Sequence, residues 1–70
     1  MSRIVAKAEL IYDEYKIVAR VYKTEGRWFN VVAILYVDGK RHAIRRDASN
    51  GLYWARKTMA EMLIDIHGNY

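Results

Sequence analysis

The chain has no cysteine and no proline, and glycine is present at only four of its 70 positions. Without cysteine, neither a disulfide nor a thiolate-bound metal can support the fold. A chain of this length buries only about 60% of the surface that its unfolded form exposes, so its core is small. A partner or a second copy of the chain is therefore an expected source of further stability.

Long apolar runs are also missing. No stretch approaches the roughly 20 apolar residues of a membrane-spanning helix. The segment 1–10 alternates in polarity and carries Arg3, Lys7 and Glu9, which is unlike a signal peptide. Together with the absence of cysteine, which suits a reducing compartment, this pattern predicts a cytoplasmic protein that does not associate with membranes.

Positive charge is in excess and is concentrated in one region. The formal net charge is +4 at pH 7, and the sequence pI is about 9.6. Between Lys40 and Lys57 there are six lysines and arginines but a single acid, Asp47. This balance favours a nucleic acid or an acidic protein surface as the partner.

Four segments alternate in polarity as β-strands do, at about 4–12, 15–23, 28–37 and 40–47. Asp13-Glu14 is a plausible tight turn between the first two segments. Asp38-Gly39 is the strongest hairpin signal, because a type I′ turn needs the positive φ that glycine accepts freely. The pattern predicts a four-stranded antiparallel meander.

A helix is predicted at about 50–67, with Ser49 or Asn50 as its N-cap and Gly68 just past its end. Helical spacing gives it one apolar stripe, formed by Leu52, Ala55, Met59, Met62, Leu63 and Ile66. The whole chain, 1–70, is then one α+β domain of order ββββα, with the helix packed on one face of the sheet.

A single helix covers one face of the sheet and leaves the other open. The better core face contains Ile4, Ala6, Ala8, Leu10, Ile17, Ala19, Val21, Phe29, Val31, Ala33 and Leu35. The other face is expected to hold Val5, Lys7, Ile11, Lys16, Val18, Arg20, Tyr22, Trp28, Val32, Ile34, Tyr36, Arg41, Ala43 and Arg45. Aromatic and aliphatic groups among cations are typical of a recognition surface or a dimer interface.

Rings can stack on bases while Lys and Arg neutralise phosphate, so this face suits a nucleic acid. The same composition suits a protein interface. Alternatively, Trp28 and Tyr36 only cap a small core, and the basic run 41–46 only keeps an edge strand from aggregating. The candidate binding residues are Lys16, Arg20, Tyr22, Trp28, Tyr36, Lys40, Arg41, Arg45, Arg46, Trp54, Arg56 and Lys57.

We identify no catalytic or metal-binding constellation in the sequence. The two histidines, His42 and His67, are far apart, and no partner is spaced to converge on either. Asp13-Glu14 reads as a turn, and Glu61 and Asp65 read as a solvated helix face. The sequence therefore predicts a protein that is not an enzyme and that uses no cofactor or metal.

The stretch from Gly26 to Ile66 resembles double-stranded-RNA-binding domains. In that family a strand like Trp28-Phe29-Asn30-Val31 is followed by a turn, a strand and an alanine-rich helix, which would hold Ala55, Lys57, Ala60 and Met62-Leu63. The chain has no counterpart of that family's N-terminal helix. Leu52-Tyr53-Trp54 stand where the family's last helix begins with a Lys-Lys pair.

The same stretch is similar to the arm-site DNA-binding domains of phage integrases, which have a three-stranded sheet and a C-terminal helix. Gly26-Arg27-Trp28 and Asp38-Gly39-Lys40-Arg41 look like that family's Gly-x-Trp strand start and its Gly-Lys-Arg hairpin. The resemblance implies a sheet inserted in the DNA major groove. It assigns base and phosphate contacts to residues such as Trp28, Arg41 and Arg45.

In size and format the chain is also similar to small phage-encoded inhibitors, including anti-CRISPR proteins, which would act in the cytoplasm of the host cell. Three hypotheses follow. The chain binds nucleic acid through its sheet face and basic hairpin, or it inhibits a protein or nucleoprotein complex by occupying a charged site, or it forms a homodimer through the apolar part of the sheet face. The third is compatible with either of the others.

Overall fold

A computed structural model describes residues 3–69 of the chain. Its elements are β1 (Arg3–Ile11), β2 (Tyr15–Lys23), β3 (Trp28–Val37), β4 (Lys40–Asn50) and α1 (Leu52–Asn69). The strands form one antiparallel sheet in the order β1-β2-β3-β4, and α1 packs on one of its faces. The predicted ββββα architecture is confirmed. Within residues 3–69, α1 is too polar to cross a bilayer.

Tight turns connect the first and last pairs of strands. Asp38 and Gly39 both have positive φ, 52° and 79°, as a type I′ hairpin turn requires. At the first hairpin the N–H of Tyr12 donates to the carbonyl of Tyr15 at 2.9 Å. The N–H of Asp38 donates to the carbonyl of Glu14, so the two hairpins are tied together at one end of the sheet.

The core lies between α1 and the two central strands. One buried cluster is built on Ile17, Ala19, Ala33, Leu35 and Ile66, and the other on Val21, Phe29, Val31 and Ala55. Met59 and Met62 pack against both clusters, as their place in the predicted stripe indicates. Leu52, which belongs to the same predicted stripe, is exposed instead.

A β-bulge changes the face assignments at the start of β1. The pairing of β1 with β2 shifts between Ile4 and Ala6, so the extra residue Val5 packs into the core. Ile4 pairs with Tyr22 on the opposite face and is half exposed. The prediction that Ile4 lies on the core face and Val5 on the other face is therefore wrong. The inserted residue reverses the in-and-out alternation for the part of β1 that precedes it.

The junction between β4 and α1 is made by Gly51. β4 continues to Asn50, where Ser49 and Asn50 pair with Phe29 and Trp28. The first turn of α1 starts instead from the carbonyl of Gly51, which accepts from the N–H of Ala55 at 3.0 Å. Ser49 is buried, and its hydroxyl hydrogen-bonds Thr58 at 2.9 Å. The prediction that Ser49 or Asn50 caps the helix is wrong.

Two isoleucines provide a matched test of where the core lies. The side chain of Ile17 is 0% exposed, whereas that of Ile64 is 73% exposed. We expect Ile17→Ala to lower the free energy of unfolding by about 2–5 kcal/mol, through lost burial and an unfilled cavity. We expect Ile64→Ala to change it by no more than about 0.5 kcal/mol. Urea unfolding followed by circular dichroism measures both, and similar losses in the two variants would contradict this core.

Candidate functional site

The sheet face that α1 does not cover, called the open face here, is organised in four rows that run across the strands. Strand pairing places directly opposed residues on the same face. The rows are the end row (Ile4, Tyr22, Asn30, Ala48), the arginine row (Lys7, Arg20, Val32, Arg46), the aliphatic row (Glu9, Val18, Ile34, Ile44) and the tyrosine row (Ile11, Lys16, Tyr36, Arg41).

The arginine row holds three cations, contributed by β1, β2 and β4. Lys7 and Arg20 face each other directly, and like charges in that arrangement destabilise a sheet. The Nε atom of Arg20 is buried and has no hydrogen-bond acceptor among the described residues. Both features carry an energetic cost in the free protein, and an anion bound to this row would relieve the charge repulsion.

The tyrosine row lies two positions beyond the aliphatic row and adds two more cations. Lys16 and Arg41 flank Tyr36 in the register, and the Nζ atom of Lys16 is 5.4 Å from the centroid of the Tyr36 ring. Lys16 and Arg20 are four positions apart along β2, so the two cationic rows are about 13 Å apart. Glu9 is the one acid in the four rows.

The aliphatic row separates these two cationic rows. Val18 is only 5% exposed although no helix covers it, while Ile44 at the β4 edge is 36% exposed. Val18 is flanked along β2 by Lys16 and Arg20, and the stems of long cationic side chains can cover apolar surface while their charged ends stay in water. The open face thus keeps a narrow apolar strip between two bands of positive charge.

A second bulge decides which arginines of β4 reach this face. The pairing of β3 with β4 shifts between Leu35 and Tyr36, and His42 is the extra residue on β4. Arg41 and Arg46 consequently lie on the open face, whereas Ala43 packs into the core beneath α1. The prediction that Ala43 and Arg45 lie on the open face is wrong, because the bulge reverses the alternation between Arg41 and Ala43.

Arg45 lies on the helix side of the sheet, where its guanidinium forms an ion pair with Asp65 of α1. Both side chains are about half exposed, so the pair contributes modestly to stability. The two neighbouring arginines therefore differ in role. Arg45 is neutralised by a contact with the helix, and Arg46 extends the arginine row to the edge of the sheet.

The other predicted residues occupy two further places. Lys40 follows the Asp38-Gly39 turn and pairs with Val37, so it lies at the end of the sheet next to Arg41. Trp28 pairs with Asn50 at the opposite end of the sheet, beyond the end row, and is exposed. The first two turns of α1 carry Trp54, Arg56 and Lys57, which therefore lie in the helix layer and not on the open face. All three are exposed, and exposure was predicted for Trp54.

Three residues near these groups were not singled out from the sequence as binding residues. Lys7 was expected on the open face but was not chosen, although its position opposite Arg20 makes it part of the arginine row. Arg27 precedes Trp28 in the loop, and Tyr53 precedes Trp54 in the helix. The sequence signal that could have identified Arg27 and Tyr53 was their position next to Trp28 and Trp54.

A shallow depression of about 560 Å³ lies where the end row meets the arginine row. It is lined by Tyr22, Asn30, Val31, Val32, Arg46, Asp47 and Ala48. Its opening toward solvent provides an aromatic ring, an amide and a guanidinium from adjacent strands. The aromatic ring can stack on a planar ring of a ligand. The amide and the guanidinium can donate hydrogen bonds to an anion.

The two histidines lie on different elements, at the end of the sheet where the two hairpins turn. His67, in the last turn of α1, has its ring centroid 5.1 Å from that of Tyr12, which in turn stacks on Tyr15 at 4.6 Å. His42 is the bulged residue of β4. In the described part of the chain, no group of three or more His, Asp or Glu side chains converges as a metal site would require.

Comparison with protein-family models, with curated proteins and with solved structures found no significant match to this chain.

The opposed Lys7 and Arg20 generate a prediction about stability. Lys7→Glu replaces a repulsion by an attraction across the strand pair, and we expect the free energy of unfolding to rise by about 0.2–1 kcal/mol. Raising the salt concentration should shrink this gain. Urea titrations at low and high salt measure both effects.

The matched control is Lys16→Glu. Lys16 faces Ile11 and Tyr36 rather than a cation, so its reversal gains no opposed charge and loses the contact with the Tyr36 ring. A stabilisation by Lys16→Glu equal to that of Lys7→Glu would show that the effect is one of net charge and not of the opposed pair.

Proposed function

We propose that this protein is a non-enzymatic nucleic-acid-binding module that uses the open face of its sheet. The observation that carries the proposal is the pair of cationic rows, with Lys7, Arg20 and Arg46 in one and Lys16 and Arg41 in the other. Five cations and one acid on a single exposed face form a surface that attracts a polyanion. The apolar strip and the tyrosines between and beside the cations supply contacts for sugars and bases.

The free protein does not need this arrangement for its own stability. An opposed Lys7–Arg20 pair and a buried Arg20 Nε without an acceptor are unfavourable in the folded chain. Features of this kind are expected at functional sites, where stability is given up for binding. In contrast, the arginine that faces the helix, Arg45, has a carboxylate partner.

The positions of the cations also suit phosphate contacts. The arginine row spans all four strands, and neighbouring strands are about 4.8 Å apart, so Lys7 and Arg46 are separated by about 14 Å across the sheet. The Asp38-Gly39 hairpin adds Lys40 at the rim, beside Arg41. Contacts of this kind position a nucleic acid without reading its sequence.

A protein or nucleoprotein partner is the second candidate, and one observation favours it. The aliphatic row exposes Ile44 at the β4 edge and continues through Ile34 to Val18. An apolar centre with a cationic rim is the usual arrangement of a protein interface. An inhibitor that occupies a charged site would use this strip as its centre, and so would a homodimer formed through the open face.

Binding across a salt series tests the proposal and separates the two candidates. We expect the purified protein to bind labelled oligonucleotides with a logarithmic salt slope of about −3.5 or steeper, since the five cations of the open face contribute about −0.7 each on a single strand. Fluorescence anisotropy between 25 and about 200 mM salt is the measurement. Weak salt dependence, or no binding at low salt, contradicts the proposal and favours the protein partner.

The adjacent arginines of β4 provide a matched pair of variants. Arg46→Ala removes a cation from the open face and should weaken binding and reduce the magnitude of the salt slope by about 0.7–0.9. Arg45→Ala removes the same group from the helix side, where Asp65 already neutralises it, and should change binding little. Equal losses in the two variants would show that net charge alone, and not the open face, determines binding.

A further inference from the structure

Three exposed aromatic side chains lie at the end of the molecule where β3 and α1 begin. The N–H of Gly51 donates to the carbonyl of Arg27 at 3.0 Å, which ties the start of α1 to the start of β3. Trp28 is paired with Asn50, the residue before Gly51. The ring of Trp54 lies against Gly51, with its Cδ1 atom 3.9 Å from the position that a Cβ would take there. Trp28 and Trp54 therefore flank the same junction.

These rings are not part of the core. Trp28 is 53% exposed, Trp54 is 55% exposed and Tyr53 is 69% exposed. None of the three belongs to either buried cluster. Large aromatic side chains are highly buried on average, so an exposed group of them at one end of a small domain marks a contact surface.

The rings at the start of α1 contact each other and a cation. Tyr53 and Trp54 meet edge to face, with centroids 5.0 Å apart and an interplanar angle of 83°. The Nζ atom of Lys57 lies 5.4 Å from the Trp54 centroid and brings a cation next to the ring. A base that stacked on Trp54 would therefore have a cation within reach of its phosphate.

Cations surround this group of rings. Arg27, Arg56 and Lys57 are all exposed. Arg27 precedes Trp28, Lys57 lies over the ring of Trp54, and Arg56 is three positions after Tyr53 on the helix, where side chains are neighbours. The first turn of α1 has no acidic residue, and the nearest acids in the sequence are Asp47 in β4 and Glu61 farther along the helix. We call Trp28, Tyr53 and Trp54, with Arg27, Arg56 and Lys57, the end patch.

The end patch continues the open face. Trp28 lies on the same side of β3 as Asn30 and Val32, one row beyond the end row. A nucleic-acid strand that follows the cations of the arginine row toward this end of the sheet crosses the end row, reaches Trp28, and then comes to the junction at Gly51. Trp28 thus links the open face to the junction where α1 begins.

We infer that the end patch binds unpaired nucleotides and that the nucleic acid on the open face is single-stranded. Bases in a duplex are stacked on each other and cannot offer their faces to Trp28 and Trp54, whereas the bases of a single strand can. In this arrangement bases stack on the two indoles, while Arg27, Arg56 and Lys57 bind the adjoining phosphates. The inference rests on the proposed function, because it specifies the nucleic acid that the open face binds.

Tryptophan fluorescence reports base stacking at the end patch directly, because Trp28 and Trp54 are the only tryptophans in the chain. The probes are a 15-nucleotide oligo(dT) strand and its duplex with oligo(dA). We expect oligo(dT) to quench tryptophan emission and to bind at least about fivefold more tightly than the duplex, which corresponds to one stacked base. Trp28→Phe and Trp54→Phe, each with a single reporter left, should both retain quenching.

Affinity in alanine variants completes the test. Trp28→Ala and Trp54→Ala should each weaken oligo(dT) binding by at least about fivefold and leave duplex binding within about twofold. Tyr12→Ala is the matched control, since Tyr12 is an exposed aromatic residue near the C-terminal end of α1, beside His67. It should change neither affinity by more than about twofold. Circular dichroism confirms that each variant is folded.

The outcomes distinguish the two proposals. Binding that depends on Arg46 but leaves tryptophan emission and the Trp→Ala affinities unchanged overturns the end patch and retains the open face. Equal weakening of single-strand and duplex binding also overturns it, because stacking on unpaired bases would not affect the duplex. Failure of both probes to bind at low salt overturns the proposed function and this inference together.

Discussion

The structure depends on one constraint, which is that a single helix can bury only one face of the sheet. α1 uses Ala55, Met59, Met62 and Ile66 to cover the central strands, and the two buried clusters contain little else from the helix. The other face of the same strands must be stable in water without a covering element. Long cationic side chains achieve this in part, because their stems can cover apolar neighbours such as Val18 while their charges stay hydrated.

Charge is divided between the two faces by local backbone irregularities. The bulge at His42 turns Arg45 toward Asp65 and leaves Arg41 and Arg46 on the open face. The bulge at Val5 delivers one more apolar side chain to the core and moves Ile4 out of it. The cationic surface that β1, β2 and β4 form on the open face therefore depends on the bulge at His42, which places Arg46 there, as well as on the composition of the chain. We propose that this surface is what the protein uses to bind a nucleic acid.

Much of the architecture was predictable because it follows from short-range rules. Polarity alternation located the strands, and Asp38-Gly39 specified a two-residue turn whose register fixes the β3–β4 hairpin. The apolar stripe located the helix, and most of that stripe is in the core. The opposed pairs that make up the rows follow directly once the strand registers are known.

The remaining features depend on tertiary structure. An alternating pattern does not show where a strand inserts an extra residue, so the faces of Ile4, Ala43 and Arg45 were misassigned. Ser49 and Asn50 have the chemistry of helix caps, but pairing with β3 holds both in the strand, and the helix starts from Gly51. The end patch could not be predicted either. Trp28 and Trp54 are 26 positions apart in the sequence, and only the folded chain brings them to the same junction.

An NMR titration of isotope-labelled protein with a single-stranded oligonucleotide tests most directly the proposal that the open face binds nucleic acid. We expect the largest amide shift changes on the arginine and tyrosine rows, at Lys7, Arg20, Tyr36, Arg41 and Arg46. Amides of the outer surface of α1 around Ala60 and Ile64 should change little. Changes concentrated on that helix surface, or no changes at a saturating ratio in low salt, would contradict the proposal.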